Sequence, residues 1–383
     1  MRRRIISCRF FALRIRDHSL QFVPVQGGGT EIIMIKVAVI GCGSIANNAH
    51  IPAYMANEET EIAYFCDIIP ERAEAAAEKY KCGKAVTDYR EILKDDSVTA
   101  VSVCTPNNCH STISIDALHA GKHVLCEKPA ARTLEEALEM QKVQHECGKI
   151  LDIGVVNRFN KNVNRIKKLI DSGELGEIYH VYASFREQRS IPGLGGAFTT
   201  KAIAGGGVLV DWGVHFLDII MYCCGDPTPV SASGETFVKL GKNIDDYVYT
   251  NMWAGPPVEN GTYDVEDSVI GIIRTSGPVI SINGAWAQNI GKREMYIDFI
   301  GTKGGIRLDY GAEFTLYSTK ESALTETKFT AEQDNHFQNE IDAFVSCIKT
   351  GEKLPSHIDN HVLTSKIMDA VYKSAEMHKE VEV

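Results

Sequence analysis

Two absences in this 383-residue chain exclude more than its average composition does: there is no uncharged apolar run of eighteen residues and no Cys-x-x-Cys pair. Without such a run, a membrane span is not expected. Cys223–Cys224 has no second pair at zinc-site spacing and Cys109–His110 stands alone, so no metal site is expected either. Instead the eleven cysteines scatter, with Cys42, Cys66, Cys104, Cys126, Cys147 and Cys347 at apolar strand and helix positions where thiols act as small core side chains. That usage fits a reducing, cytoplasmic location. Basic excess is also missing: the formal net charge is −10 and no basic stripe follows the periodicity, which argues against nucleic acid as a partner. Neither an internal repeat nor a sustained heptad is present, which excludes solenoids and coiled coils.

What is present is an ordinary globular composition, 44% hydrophobic and 23% charged, in a chain long enough for two domains. The exception is residues 1–33, with Arg2, Arg3, Arg4, Arg9, Arg14 and Arg16 against only Asp17 and Glu31. This basic, acid-poor stretch lacks the unbroken apolar segment of a secretory signal. It reads as an extension, expected to be disordered, ahead of a folded region that begins at Met34.

From Ile35 the sequence IKVAVIGCGSIANNAH gives a strand, a glycine turn and a helix. Gly41, Gly43 and Ala46 occupy the three small-residue places of the G-x-G-x-x-G/A dinucleotide fingerprint, with Ser44 and Ile45 on the opening helical turn. Such a helix end faces a diphosphate. A second strand follows over 61–66 and ends at Asp67, an acid that can take both hydroxyls of an adenosine ribose and repel a 2′-phosphate, which favours NAD over NADP. Arg72, at the start of the next helix, is the reservation. Strands and helices go on alternating through 154, and ligand loops are expected at strand carboxyl ends. Those loops carry Thr105, Pro106, Asn107 and His110 in one case, and Glu127, Lys128 and Pro129 in the other. Lys128 ends a buried strand, where a cation can reach into the cleft and stabilise developing alkoxide charge.

After Val156 the pattern changes to a helix, a long glycine-bearing segment over 186–207, and six strand-like runs between 230 and 317. These runs predict one large, mostly antiparallel open sheet, followed by two helices over 336–349 and 360–380. The fold class is therefore α/β: an N-terminal Rossmann dinucleotide-binding domain (34–156) and a C-terminal α+β domain for substrate binding and oligomerisation (157–383). Within the second domain GGGVLVDWGVHFLD sets Asp211 and His215 four residues apart, on one helical face. A carboxylate beside an imidazole can orient the ring and assist proton transfer. The three glycines before them read as a flexible approach.

GCGSIA, TPNNCH with AGKHVLCEKP, and GGGVLVDWGVH together resemble the glucose–fructose oxidoreductase, inositol dehydrogenase and rhizopine-catabolism (Gfo/Idh/MocA) oxidoreductases, and the likeness runs from Met34 to the end. The resemblance implies that Lys128 is the catalytic lysine, His215 the acid/base that takes the hydroxyl proton, and Asp211 a residue that binds or orients. It also implies NAD as cofactor, assembly as a homodimer or homotetramer through the C-terminal sheet, and sugars, cyclitols or their glycosides as substrates.

Asn157, Arg158, Arg186, Lys201 and Trp286, with Asp211, are the expected substrate contacts. Thr199, Thr200 and Lys201 stand where many relatives carry a tryptophan–arginine pair, which leaves the substrate class open. The expected reaction is NAD-dependent oxidation of a secondary alcohol. Two other readings stay open: an enzyme that keeps and recycles tightly bound NAD, as a sugar transhydrogenase or redox-assisted glycosidase, and a non-catalytic NAD-binding regulatory protein. Retention of Lys128 and His215 weighs against the second.

Overall fold

Six short strands form the first sheet: β1 (Ile35–Ile40), β2 (Thr60–Cys66), β3 (Lys84–Val86), β4 (Ala100–Val103), β5 (His123–Glu127) and β6 (Leu151–Gly154). Every pairing is parallel and the order is β3-β2-β1-β4-β5-β6, so the strand order reverses beside β1. Parallel sheets bury both faces under crossover helices, which is why β1, β4, β5 and β6 are almost wholly buried. The crossovers are α1 (Ile51–Ala56), α2 (Pro70–Tyr80), α3 (Tyr89–Leu93), α4 (Asn107–His119) and α5 (Leu134–Cys147). The sequence sets their ends: Asp88 and Thr133 accept from backbone N–H groups as N-caps, and Gly148 closes α5 in the left-handed conformation.

The computed structural model describes residues 34–242, 247–249, 252–311, 313–330 and 334–383, and the backbone of Phe11–Ala12 and Val23–Pro24. Those two short segments pair antiparallel within a unit of their own, Met1–Met34. The disorder expected for residues 1–33 otherwise lies outside the described residues.

The second sheet is built from β7 (Ile178–Arg186), β8 (Pro229–Phe237), β9 (Ser268–Thr275), β10 (Val279–Ala285), β11 (Glu294–Gly301), β12 (Gly304–Asp309), β13 (Phe314–Lys320), β14 (Ala323–Phe329) and β15 (Val381–Glu382). Its order is β14-β13-β12-β11-β7-β10-β9-β8-β15. All pairs are antiparallel except β7 with β10. Register sorts the side chains by the two-residue period. Val181, Phe185, Ile273, Ile282, Phe299 and Leu308 point to one buried face, while Tyr182, Ile270, Ile272, Tyr296 and Tyr317 share the other. The inner face packs on α6 (Lys161–Asp171) and α8 (Val214–Cys223), with Phe185 and Phe216 ring centroids 5.0 Å apart.

The span Lys201–Cys223 is long and apolar enough to cross a bilayer, yet 78% of its most apolar window is buried inside the protein, as for a core helix. It is also not one α-helix: α7 (Lys201–Ala204) ends at Gly205, and a π-helical turn over Leu209–Gly213 leads into α8. In addition α9 (His336–Thr350) and α10 (Ile358–Met377) return to the first sheet, contributing Ile341, Phe344, Val345, Ile358 and Val362 to its cores.

Candidate active site

At the carboxyl end of β1 the chain turns at Gly41, whose φ is +93° and where a Cβ would lie 2.5 Å from the Cys104 carbonyl oxygen. Only glycine satisfies both conditions. Around Gly43, by contrast, a Cβ would meet nothing within 4 Å, so open space lies against the backbone where a pyrophosphate would approach. The Cys42 N–H donates to Asp67 Oδ2 at 2.9 Å, and Ile69 N–H donates to Oδ1 at 2.9 Å. These bonds lock the acid at the end of β2 beside the glycine turn. Ser44 and Ile45 begin the helix there, and Ser44 Oγ accepts from Asn48. Across the strand-order reversal, Thr105 Oγ1 is buried with no protein hydrogen-bond partner among the described residues. An orphaned hydroxyl, an open glycine cradle and a strand-end acid fit a dinucleotide.

Pro106 caps α4, and the Asn107 amide donates to the Ala204 carbonyl at 2.9 Å, tying the nucleotide loop to α7. His110 does not present a free atom to a cofactor. Its ring nitrogens face the Pro129 and Thr105 carbonyls at 2.7 and 2.8 Å, so it braces two loops. Burial drives its pKa below the ordinary imidazole value against those hydrogen bonds, and a neutral ring donates to only one of the two carbonyls.

Glu127 and Lys128 end β5 with opposite tasks. Glu127 is buried, bonded to His50 Nε2 at 2.8 Å and accepting from the Lys128 N–H at 3.1 Å. Burial alone would lift its pKa, but the His50 hydrogen bond and charge, followed by Lys128, hold it below the usual carboxylate range. Behind it His50 Nδ1 meets Ser102 Oγ at 2.9 Å, and Ser102 meets Tyr54 OH at 3.2 Å. This chain of partners fixes the loop that aims Lys128.

Lys128 Nζ lies 3.6 Å from Asp211 Oδ1, an ion pair between the first sheet and the π-helical turn. Asp211 Oδ2 accepts from Trp286 Nε1 at 3.2 Å. Burial raises the Asp211 pKa, opposed by Lys128 and that indole. One turn on, His215 lines the same cavity, and its ring has no protein hydrogen bond among the described residues. Burial and then the Lys128 charge push its pKa down to about 3, which keeps the imidazole neutral. The cavity has a volume of about 330 Å³, and Trp212, Trp253 and Tyr310 join the three polar groups on its wall. A neighbouring recess of about 470 Å³ shares Arg293, Met295 and Tyr310 with it.

The glycines before Asp211 are close-packed, not a flexible approach. A Cβ on Gly207 would stand 1.9 Å from the Glu266 carbonyl oxygen. The Glu266 carboxylate accepts from the Gly207 and Leu209 N–H groups at 2.8 and 3.0 Å and from Tyr372 OH at 2.8 Å. Glu266 and Tyr372 thus seat the helix that bears Asp211 and His215, and their distance in sequence hid them.

Several expected substrate contacts have other partners. Arg158, 1% exposed, clamps Asp218 and Asp226 and donates to the Pro355 carbonyl. Arg186 is paired with Glu294 at the end of β7, and Lys201 is an exposed residue whose N–H donates to Asp264. Trp286 is fully buried and acts on Asp211. Asn157 donates to Tyr310 OH at 3.4 Å, one step behind the wall. Trp212, Trp253, Tyr310 and Arg293 were missed because only the tertiary structure gathers them.

Comparison with known proteins addresses the family and the fold. Residues 35–155 match the oxidoreductase family with an NAD-binding Rossmann fold, and residues 163–307 match the GFO/IDH/MocA C-terminal domain. D-glucoside 3-dehydrogenase of Escherichia coli (strain K12) is 31% identical over 353 residues, covering 91% of this chain and 97% of that protein. Inositol 2-dehydrogenase of Rhizobium meliloti (strain 1021) is 24% identical over 354 residues, covering 91% and 99%. A levoglucosan dehydrogenase solved with NADH and levoglucosan shares the fold, with a TM-score of 0.77 at 23% identity over 91% of this chain and 99% of that one. Among the described residues no cluster of three or more histidine, cysteine, aspartate or glutamate side chains could hold a metal ion.

Proposed function

The chain belongs to the Gfo/Idh/MocA oxidoreductases, a family of NAD-dependent enzymes acting on sugars and cyclitols, and from that premise we propose that it oxidises a secondary alcohol of a sugar, glycoside or cyclitol through Lys128, Asp211 and His215. The observation that carries this reading is the Lys128–Asp211 ion pair at 3.6 Å in a cavity that His215 also lines. When bound, NAD supplies the hydride acceptor. Gly41, Gly43, Asp67 and Thr105 would hold it.

Lys128 donates to the substrate oxygen and stabilises the negative charge that grows there as the carbinol is oxidised. His215 lines the cavity beside Lys128 and Asp211, with a ring nitrogen placed to accept the hydroxyl proton. Asp211 holds the ammonium in place and balances its charge, and Trp286 holds Asp211. Glu127 fixes the Lys128 backbone from behind.

We assign residues 34–156 to cofactor binding and 157–383 to substrate binding, with α9 and the start of α10 packed back on the first sheet. Exposed Ile270, Ile272 and Val279 on the outer face of the second sheet support assembly of like subunits through that face. The ten described cysteines are free thiols, which supports a reducing cytoplasm. The test is a panel of inositols, hexoses, sugar acids and glycosides with NAD, followed by NADH absorbance. NADH formation with a cyclic polyol or glycoside is expected. An inert panel with protein that carries NAD through purification would favour the recycling reading.

A further inference from the structure

We infer that Trp253 is the specificity-determining residue of this pocket: an aromatic platform for the C–H face of a saturated six-membered polyhydroxylated ring such as a pyranoside, so that an acyclic polyol is rejected. The inference rests on the proposed dehydrogenase reading and adds to it the face by which the ring is recognised. Trp253 lines the cavity of Lys128, Asp211 and His215 while remaining 48% exposed, unlike the wholly buried Trp286. Its ring stands edge-on to Phe198, with centroids 4.9 Å apart at 71°.

The loop that follows Trp253 is tied to a segment distant in sequence. Val258 N–H donates to the Leu194 carbonyl at 2.8 Å, and Asp264 N–H to the Thr199 carbonyl at 3.1 Å. The buried Thr199 hydroxyl donates to the Thr262 carbonyl at 2.9 Å and accepts from Gly195 N–H at 2.9 Å. The two backbones touch so closely that a Cβ on Gly261 would stand 2.2 Å from the Gly195 carbonyl oxygen. Nearer the indole, a Cβ on Gly193 would stand 2.8 Å from the carbonyl oxygen of Ala254, the residue after Trp253, so the same segment packs beside the platform.

Chemistry then selects the ligand. The catalytic side of the cavity offers a cation, a carboxylate and an imidazole, which suit a hydroxyl-bearing edge. Trp253 offers a flat apolar face with a single polar N–H, which suits aliphatic C–H groups. A pyranose with equatorial hydroxyls presents both, with polar groups around its rim and axial C–H bonds on its faces. An open-chain polyol presents no such face. A cavity of about 330 Å³ lies at the small end for ligand pockets, in keeping with a single ring.

The test titrates the NAD-loaded enzyme with methyl β-D-glucopyranoside and with sorbitol, reading tryptophan fluorescence and steady-state NADH formation in wild type, Trp253→Phe and Trp253→Ala. In wild type the pyranoside is expected to quench fluorescence saturably and sorbitol is not. Trp253→Phe should lose most of the quench but keep KM within about threefold, whereas Trp253→Ala should raise KM about tenfold or more with kcat nearly unchanged. No quench in wild type, or an unchanged KM in Trp253→Ala, overturns the platform. Quenching without NADH formation would leave the platform standing and count against the dehydrogenase reading instead.

Discussion

Replacing Trp286 by phenylalanine removes one hydrogen bond from the centre of the proposed machinery while keeping an aromatic ring in its buried slot. The indole N–H is one of two groups that offset burial at Asp211, the other being Lys128. A hydrogen bond to a charged group contributes about 1.5–3 kcal/mol. The 3.2 Å separation argues for the lower part of that range. If the ionised Asp211 is what holds Lys128, kcat/KM should fall about tenfold to a hundredfold near neutral pH. The sign of the pH effect follows. Losing the donor disfavours the carboxylate, so the Asp211 pKa rises further, and the acid limb of the kcat/KM profile moves to higher pH. Raising the pH should then restore part of the lost activity. Initial rates of NADH formation across pH, with a thermal melt to verify folding, make the measurement. A uniform fall in rate with an unmoved acid limb would refute this account of Asp211.

Four further outcomes follow from the same geometry. Gly43→Val should fold normally, because nothing lies within 4 Å of its Cβ, yet weaken NAD binding at least about tenfold by titration calorimetry. Gly41→Ala should instead lower the melting temperature, since its Cβ meets the Cys104 carbonyl at 2.5 Å and its φ is +93°. Asp67→Ser should reduce the preference for NAD over NADP by about tenfold in comparative KM measurements. Arg158→Met should cost about 3–5 kcal/mol in urea unfolding by stranding Asp218 and Asp226. Burial would lift the Asp218 pKa, but Arg158 and then His361 hold it below the ordinary range. Its stabilisation is thus complete above about pH 4 and lost as pH falls through the depressed pKa, a dependence the variant should lack.

The parts of this protein visible in its sequence are those whose chemistry is local. The glycine turn at Gly41–Gly43, the acid at Asp67, the strand-end Lys128 and the Asp211–His215 spacing each declare themselves within a few residues. Partners reached only through the fold do not. His50 meets Glu127 across 77 residues, and Glu266 seats a helix that begins more than fifty residues earlier. Arg158 shows why polar residue type misleads: beside a substrate domain it reads as a ligand contact, and only Asp218 and Asp226 make it a buried clamp. The edge strand β14 was illegible for a different reason. Its residues, ALTETKF, are mostly exposed and include Glu326 and Lys328, as suits an edge that must not recruit further strands. Helical spacing from Asp211 to His215 put both residues on one wall, but not the π-helical turn between them, which periodicity alone does not encode.

The central claim is that His215 takes the proton from the alcohol, and His215→Ala tests it most directly. With a substrate identified from the panel, the account predicts a fall in kcat of about a hundredfold or more, with NAD affinity within a few-fold of wild type. A variant that turns over at nearly the wild-type rate would contradict it.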